Sequence, residues 1–167
     1  YFFSIFCLLI VINGTNFIDG LNGLMLGYFS LIIFLILYLD YYIFLGMDKI
    51  LLINFIIIII YLFFLNINNK LFMGDSGSYV LGFICGYFLI KIYEGNQEIS
   101  PYFIVLLLWY PCFENLFSIV RKFSLKKSPI NADNNHFHQL VFYYIKNKFY
   151  IKNKFVYKKI NPNNFSS

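Results

Sequence analysis

Charge is scarce in this chain. Asp, Glu, Lys and Arg supply 13% of its 167 residues, against about 25% in an ordinary soluble domain. That excludes a water-facing surface of the usual kind. Cysteine is scarce as well. Cys7, Cys85 and Cys112 stand singly within apolar runs, with neither metal-ligand spacing nor natural pairing partners, which excludes a disulfide framework and leaves buried thiols. The amino end has no basic stretch and no small residues before a cleavage site, so it does not read as a secretory leader.

What is abundant is apolar and aromatic. Apolar residues make up 60% of the chain and come in unbroken runs at 24–39, 50–65, 79–90 and 102–111, without the alternation or helical periodicity of a soluble fold. A hydrocarbon core about 30 Å thick takes roughly 20 helical residues to cross, so each run borrows from its flanks. Tyr38, Tyr41, Tyr42, Tyr61, Tyr93, Trp109 and Tyr110 there are the amphipathic rings enriched at membrane–water boundaries. The expected fold is an all-α integral membrane protein, a multi-helix transmembrane bundle. It has about four complete spans, plus a partial first span over Tyr1 to Ile12. Because the chain opens on Tyr inside that apolar stretch, a piece of a longer protein is expected. Residues 1–140 form its transmembrane region, and 141–167 a basic tail leading toward a further span.

If successive helices alternate in direction, residues 13–23, 66–78 and everything after Ser118 share one face. Eleven of the 13 basic residues fall there, Lys49 and Lys91 being the exceptions. The positive-inside rule makes this face cytoplasmic. The opposite loops carry Asp40, Asp48, Glu94 and Glu98, expected to be ordinary solvated turns. The net charge of +5 is thus an inward asymmetry suited to anionic lipid or phosphate, and needs no nucleic acid to explain it.

Three polar segments interrupt the inner face. The first, NGTNFIDGLNGL (residues 13–24), repeats Asn13, Asn16, Asp19 and Asn22 at spacing three, which on a helix stacks polar groups on one side. Four such groups at membrane depth are costly unless they bind something; a capping loop is the plainer alternative. The second, FMGDSGS (residues 72–78), precedes an apolar run. Its amides would face an anion at a helix N-terminus and Asp75 offers hard oxygen to magnesium, while an N-cap role for Asp75 or Ser76 is the alternative. Phe72 is either an interfacial ring or a platform for a planar base. The third, KSPINADNNHFH (residues 127–138), holds His136 and His138, the chain's two histidines. With no cysteine or third histidine beside them, zinc is poorly served. Phosphate contact is the better reading, against two solvated loop side chains. Apart from Glu114, the inner acids are Asp19, Asp75 and Asp133.

Together with WYPCFENLFSIVRK (residues 109–122), these segments, in this order, resemble the polyprenyl-phosphate N-acetylhexosamine-1-phosphate transferases, or glycosyltransferase family 4, from the first residues to about Leu140. The resemblance implies an enzyme that moves a sugar 1-phosphate from a UDP-amino sugar onto polyprenyl phosphate, such as undecaprenyl phosphate, releasing UMP with Mg2+ as cofactor. That is the initiating step of lipid-linked cell-surface glycan synthesis. It implies a multi-pass protein of the bacterial inner membrane with its site on the cytoplasmic face. The partners are then the two substrates and the lipid bilayer, with a homodimer as a further candidate and no nucleic acid.

Position by position, the resemblance makes Asp19 and Asp75 magnesium-binding catalytic residues, with Asn16 bordering them. Phe72 stacks on uracil, Asn13 and Asn22 line the substrate site, and His136 and His138 contact the diphosphate or sugar. Glu114 matches an acidic position, and is read as either an interfacial carboxylate or a residue shaping the site. Pro111 just before it is expected to kink or break its helix. Two departures stand out. Many members have aspartate where this chain has Asn22, and the family's aspartate pair on an earlier loop has no counterpart, so it is expected upstream of Tyr1 and the chain alone is expected to be inactive. The competing readings are a transporter or channel for an anionic solute, which would need polar residues in mid-span, and an inactive fragment.

Overall fold

The computed structural model describes residues 2–43, 49–96, 98–124 and 136–152, excepting the side chains of 41–43 and 149–152. Asp48, Asp133 and the rest of residues 125–135 lie outside the described residues, as does the tail from 153 onward. Among the described residues there are seven helices and no strand: α1 (Phe2–Ile18), α2 (Leu24–Ile43), α3 (Lys49–Ile67), α4 (Gly74–Gly95), α5 (Pro101–Leu107), α6 (Trp109–Ser124) and α7 (Phe137–Lys152).

At 1.5 Å per residue, the 19 residues of α3 and 22 of α4 reach about 28 and 33 Å, enough for a bilayer core of about 30 Å. The α5–α6 pair, bent by 68°, makes a third candidate span, and α1 and Leu24–Asp40 of α2 are shorter apolar helices. The expected four complete spans plus a partial first one thus meet two helices that qualify outright, a bent third, and two shorter ones. Helix α1 is also longer than expected, continuing through Asn13-Gly-Thr-Asn16 to Ile18.

Helix α1 packs against α4 and α6, and α2 against α3. Small residues allow the first two contacts. A Cβ on Gly14 would lie 2.1 Å from the Pro111 carbonyl oxygen, and one on Gly82 2.7 Å from Thr15 Oγ1. With no hydrophobic gain to be had between helices in lipid, such close backbone approach is how apolar helices associate. Asn115 Nδ2 adds a hydrogen bond of 3.2 Å to the Ile10 carbonyl. The interior is filled by Ile18, Met25, Leu26, Phe29, Ile33, Leu52, Ile59 and Leu89. Leu31, Phe34, Ile57, Ile58, Phe64, Val80 and Phe83 point outward, as lipid-facing side chains would.

The expected run 102–111 is broken at Leu108. Pro111 has no N–H for the carbonyl four residues earlier, Leu107, and its ring would collide with it. Helix α5 stops there, and the freed Leu107 carbonyl accepts the Tyr28 hydroxyl of α2. Asp40 departs from its expected solvated turn. Its side chain is buried 3.1 Å from the Lys49 ammonium, tying the end of α2 to the start of α3, since a buried carboxylate requires a partner. Cys85 is buried, Cys7 and Cys112 partly so, and all three are free thiols.

Candidate active site

The turn from α1 into α2 is sewn onto the turn from α3 into α4 by asparagines. Gly23, at φ +83°, uses a left-handed backbone that favours glycine. Its N–H donates to Asn66 Oδ1 at 2.6 Å, and Asn66 Nδ2 donates onward to the Leu71 carbonyl at 3.0 Å. Asn22 Nδ2 donates to Asn69 Oδ1 at 2.6 Å, and Asn69 is itself left-handed at φ 56°. The spacing-three stack expected of Asn13, Asn16, Asp19 and Asn22 therefore covers only the first two. The helix ends at Ile18, and Asp19 and Asn22 lie in the turn that follows.

That turn brings Asp19 up to the start of α4. Asn16 Nδ2 donates to Asp75 Oδ1 at 2.9 Å and to Ser78 Oγ at 3.1 Å, and Ser78 Oγ donates to the Asp75 carbonyl at 3.0 Å. Asp75 is thus held by α1 rather than capping its own helix, whose N-cap is Met73 without a side-chain bond. Burial first, and the facing Asp75 charge second, push the Asp19 carboxyl up to about 6, against a lowering by the Gly74 N–H. A carboxyl that burial, and a facing carboxylate after it, keep from ionising makes a place with a demand for a cation. Among the described residues no group of three or more His, Cys, Asp and Glu side chains is arranged to hold a metal ion. A site of two carboxylates completed by water and phosphate oxygens is nevertheless the kind magnesium takes, so the donor set fits that ion and not zinc.

The histidines approach the same corner from the start of α7. Their rings are parallel within 2° with centroids 5.7 Å apart, and His136 stacks on Phe17 of α1 at 4.9 Å. Glu114, fully buried in α6, anchors them. Its carboxylate accepts the backbone N–H of Phe137 at 3.2 Å and of His138 at 3.3 Å, and lies 2.9 Å from His138 Nδ1. The Tyr110 hydroxyl donates to it at 3.3 Å. His136 Nδ1 stands farther off, at 3.7 Å. His138 Nε2 points at Gly20, where a Cβ would come within 2.4 Å.

Asp19, Asp75, Asn16, His136 and His138 therefore gather around the end of α1. The other predicted residues are peripheral. Asn13, one turn earlier, returns its amide to the Leu9 carbonyl at 2.8 Å, and Asn22 faces Asn69. Phe72, immediately before α4, is 75% exposed. Sequence reasoning did not single out Asn66, Ser78 or Phe17, and took Tyr110 only as an interfacial ring. A signal existed only for Asn66, a polar residue closing an apolar run.

The helices and this cluster define an all-helical protein with membrane-length apolar helices and carboxylate, amide and imidazole groups gathered where several of them end. The family described as Glycosyl transferase family 4 matches residues 1–93, more than half the chain, and the chain belongs to that family. It is similar to the undecaprenyl-phosphate alpha-N-acetylglucosaminyl 1-phosphate transferase of Escherichia coli K12, at 30% identity over 84% of this chain and 40% of that protein. The Salmonella typhi protein of the same name is 32% identical over the same shares. The probable undecaprenyl-phosphate N-acetylglucosaminyl 1-phosphate transferase of Bacillus subtilis is 31% identical over 77% of this chain and 36% of its own length. The chain spans about two fifths of the length of these relatives. No solved structure matches it.

Proposed function

We propose that the protein containing this chain transfers a sugar 1-phosphate from a UDP-N-acetyl amino sugar to polyprenyl phosphate and releases UMP. An oxygen of the acceptor phosphate bonds to the sugar-bearing phosphorus, the bond from that phosphorus to the bridging oxygen breaks, and UMP departs with that oxygen. The observation that carries this reading is the joining of Asn16 to Asp75, 59 positions away, by a hydrogen bond of 2.9 Å, with Asp19 and the histidines converging on the same corner.

Asp19 and Asp75 would hold Mg2+. When bound, that ion supplies positive charge to the phosphate oxygens and the leaving group, the usual electrostatic route for phosphoryl transfer. Asn16 keeps Asp75 turned toward Asp19. His136 and His138 meet the diphosphate. Phe72 offers an exposed face to uracil, and the side-chain carbonyls of Asn13 and Asn22, whose amides are engaged elsewhere, are hydrogen-bond acceptors for the nucleotide.

A soluble nucleotide and a lipid phosphate must meet at a membrane surface, which suits polar turns at the ends of apolar helices. Arg121 and Lys122 in the last turn of α6 favour the cytoplasmic face of a bacterial inner membrane. There the reaction would initiate assembly of a lipid-linked glycan. The test is transfer of radiolabelled amino-sugar phosphate into extractable lipid by the whole protein. Wild-type rates in both Asp19→Ala and Asp75→Ala would overturn the assignment.

A further inference from the structure

We propose that Glu114 is a positioning residue that locks His138 as the Nδ1–H tautomer, so that Nε2 is the ring atom presented to the substrates. Glu114 Oε1 receives the His138 N–H at 3.3 Å and the Tyr110 hydroxyl at 3.3 Å, and lies 2.9 Å from His138 Nδ1. A backbone N–H can only donate, so Oε1 is an acceptor. At 2.9 Å, a bare Nδ1 would set its lone pair against that of the oxygen. The proton of the neutral ring therefore belongs on Nδ1, as in histidines whose working nitrogen is chosen by the hydrogen bond of the other.

The consequence falls on Nε2. The His138 side chain is 3% exposed, and Nε2 has no hydrogen-bond partner among the described residues. A buried polar atom left so is costly and calls for a ligand. It faces Gly20, next to Asp19, and only the missing Cβ leaves it room. The atom is thus held, with a single protonation pattern, beside the carboxylate pair. That it meets a phosphate oxygen there rests on the transferase reading; the tautomer does not.

Glu114 also accepts the first N–H groups of α7, a cap supplied from another helix, and a purely structural cap would leave the imidazole tautomer alone. The decisive measurement is nitrogen NMR of the whole protein labelled with 15N-histidine, at alkaline pH. The His138 signal is assigned by its loss in His138→Asn. Wild type is expected to show Nδ1–H. Glu114→Gln can keep its amide oxygen at the Oε1 position, where the His138 N–H and the Tyr110 hydroxyl already donate, and is expected to keep Nδ1–H. In Glu114→Leu, which offers Nδ1 no acceptor, the proton is expected to move to Nε2. The transfer rate should fall roughly 10- to 100-fold, the usual cost of losing an outer-shell partner, and Glu114→Asp should recover the native tautomer and part of the rate.

A wild-type ring protonated on Nε2, or an unchanged tautomer in Glu114→Leu, would overturn the proposal. The first of these needs no variant to fold. A wild-type protein with the Nδ1–H tautomer and no transfer activity would support the role of Glu114 while overturning the transferase reading.

Discussion

Asp19 and Asp75 meet at a half-open corner, with Asp75 exposed and Asp19 only partly covered, whereas His136 and His138 are 8% and 4% exposed and pinned by a buried carboxylate. Asp75 is tied across helices by one amide, Asn16, and its charge is left bearing on Asp19. The histidines are backed by Glu114 and Phe17 before any ligand arrives. The contrast separates two ways of handling charge. One corner keeps an electrostatic demand that a cation can satisfy. The other fixes the direction of two rings in advance, which limits reorganisation on binding.

The sharpest way to break the comparison is to neutralise the acids. Asp75→Ala or Asp19→Ala is expected to lower lipid-linked sugar transfer at least about 100-fold, read by radiolabel extraction, while thermal stability changes little. Equal loss of folding in both would mean that the corner is structural.

Next in size is pH. Because the Asp19 carboxyl titrates near 6, Mg2+ competes with a proton there. Affinity measured by calorimetry should weaken as pH falls through about 6, approaching tenfold per unit below it, and Asp19→Asn should flatten the profile. Stability without metal runs the other way. The folded state holds this proton more tightly than the unfolded chain, whose carboxyl has the ordinary value of 3.8. Asp19 therefore favours folding below that value, and the contribution is lost as pH rises through about 6.

Two smaller effects probe the scaffold beneath both corners. Asn66→Ala removes the acceptor for the Gly23 N–H and the donor to Leu71, and should destabilise by about 1–3 kcal/mol in thermal unfolding, the cost of stranding buried backbone groups. Asn22→Ala, at an exposed bond, should cost about 0.5–1.5 kcal/mol. A larger effect than that of Asn66→Ala would mark Asn22 as the main tie between the turns.

Much of this was legible from local order alone. The apolar runs read out α2, α3 and α4, while 102–111 fell across the break between α5 and α6, and the Gly- and Asn-rich segments marked the turns carrying Asp19 and Asp75. The three-residue spacing failed beyond Asn16 because the helix ends at Ile18, before Gly20 and Gly23. Pro111 announced a break, but its location at Leu108 follows from which carbonyl the ring displaces. Glu114 was legible as an interfacial carboxylate or a residue shaping the site, but not as the partner of His138, since that depends on a helix start more than twenty positions later.

The amino-acid order by itself determined the helical, lipid-suited character of the chain and which residue types its turns would carry, because burial preference and backbone freedom are local properties. Only the tertiary structure decided that Asn16 reaches Asp75, that Asn66 joins two turns, and that Glu114 faces His138. Those pairings arise where Gly14 and Gly82 let helices come close, and hydrogen bonds a few ångströms long are set by that approach rather than by spacing along the chain.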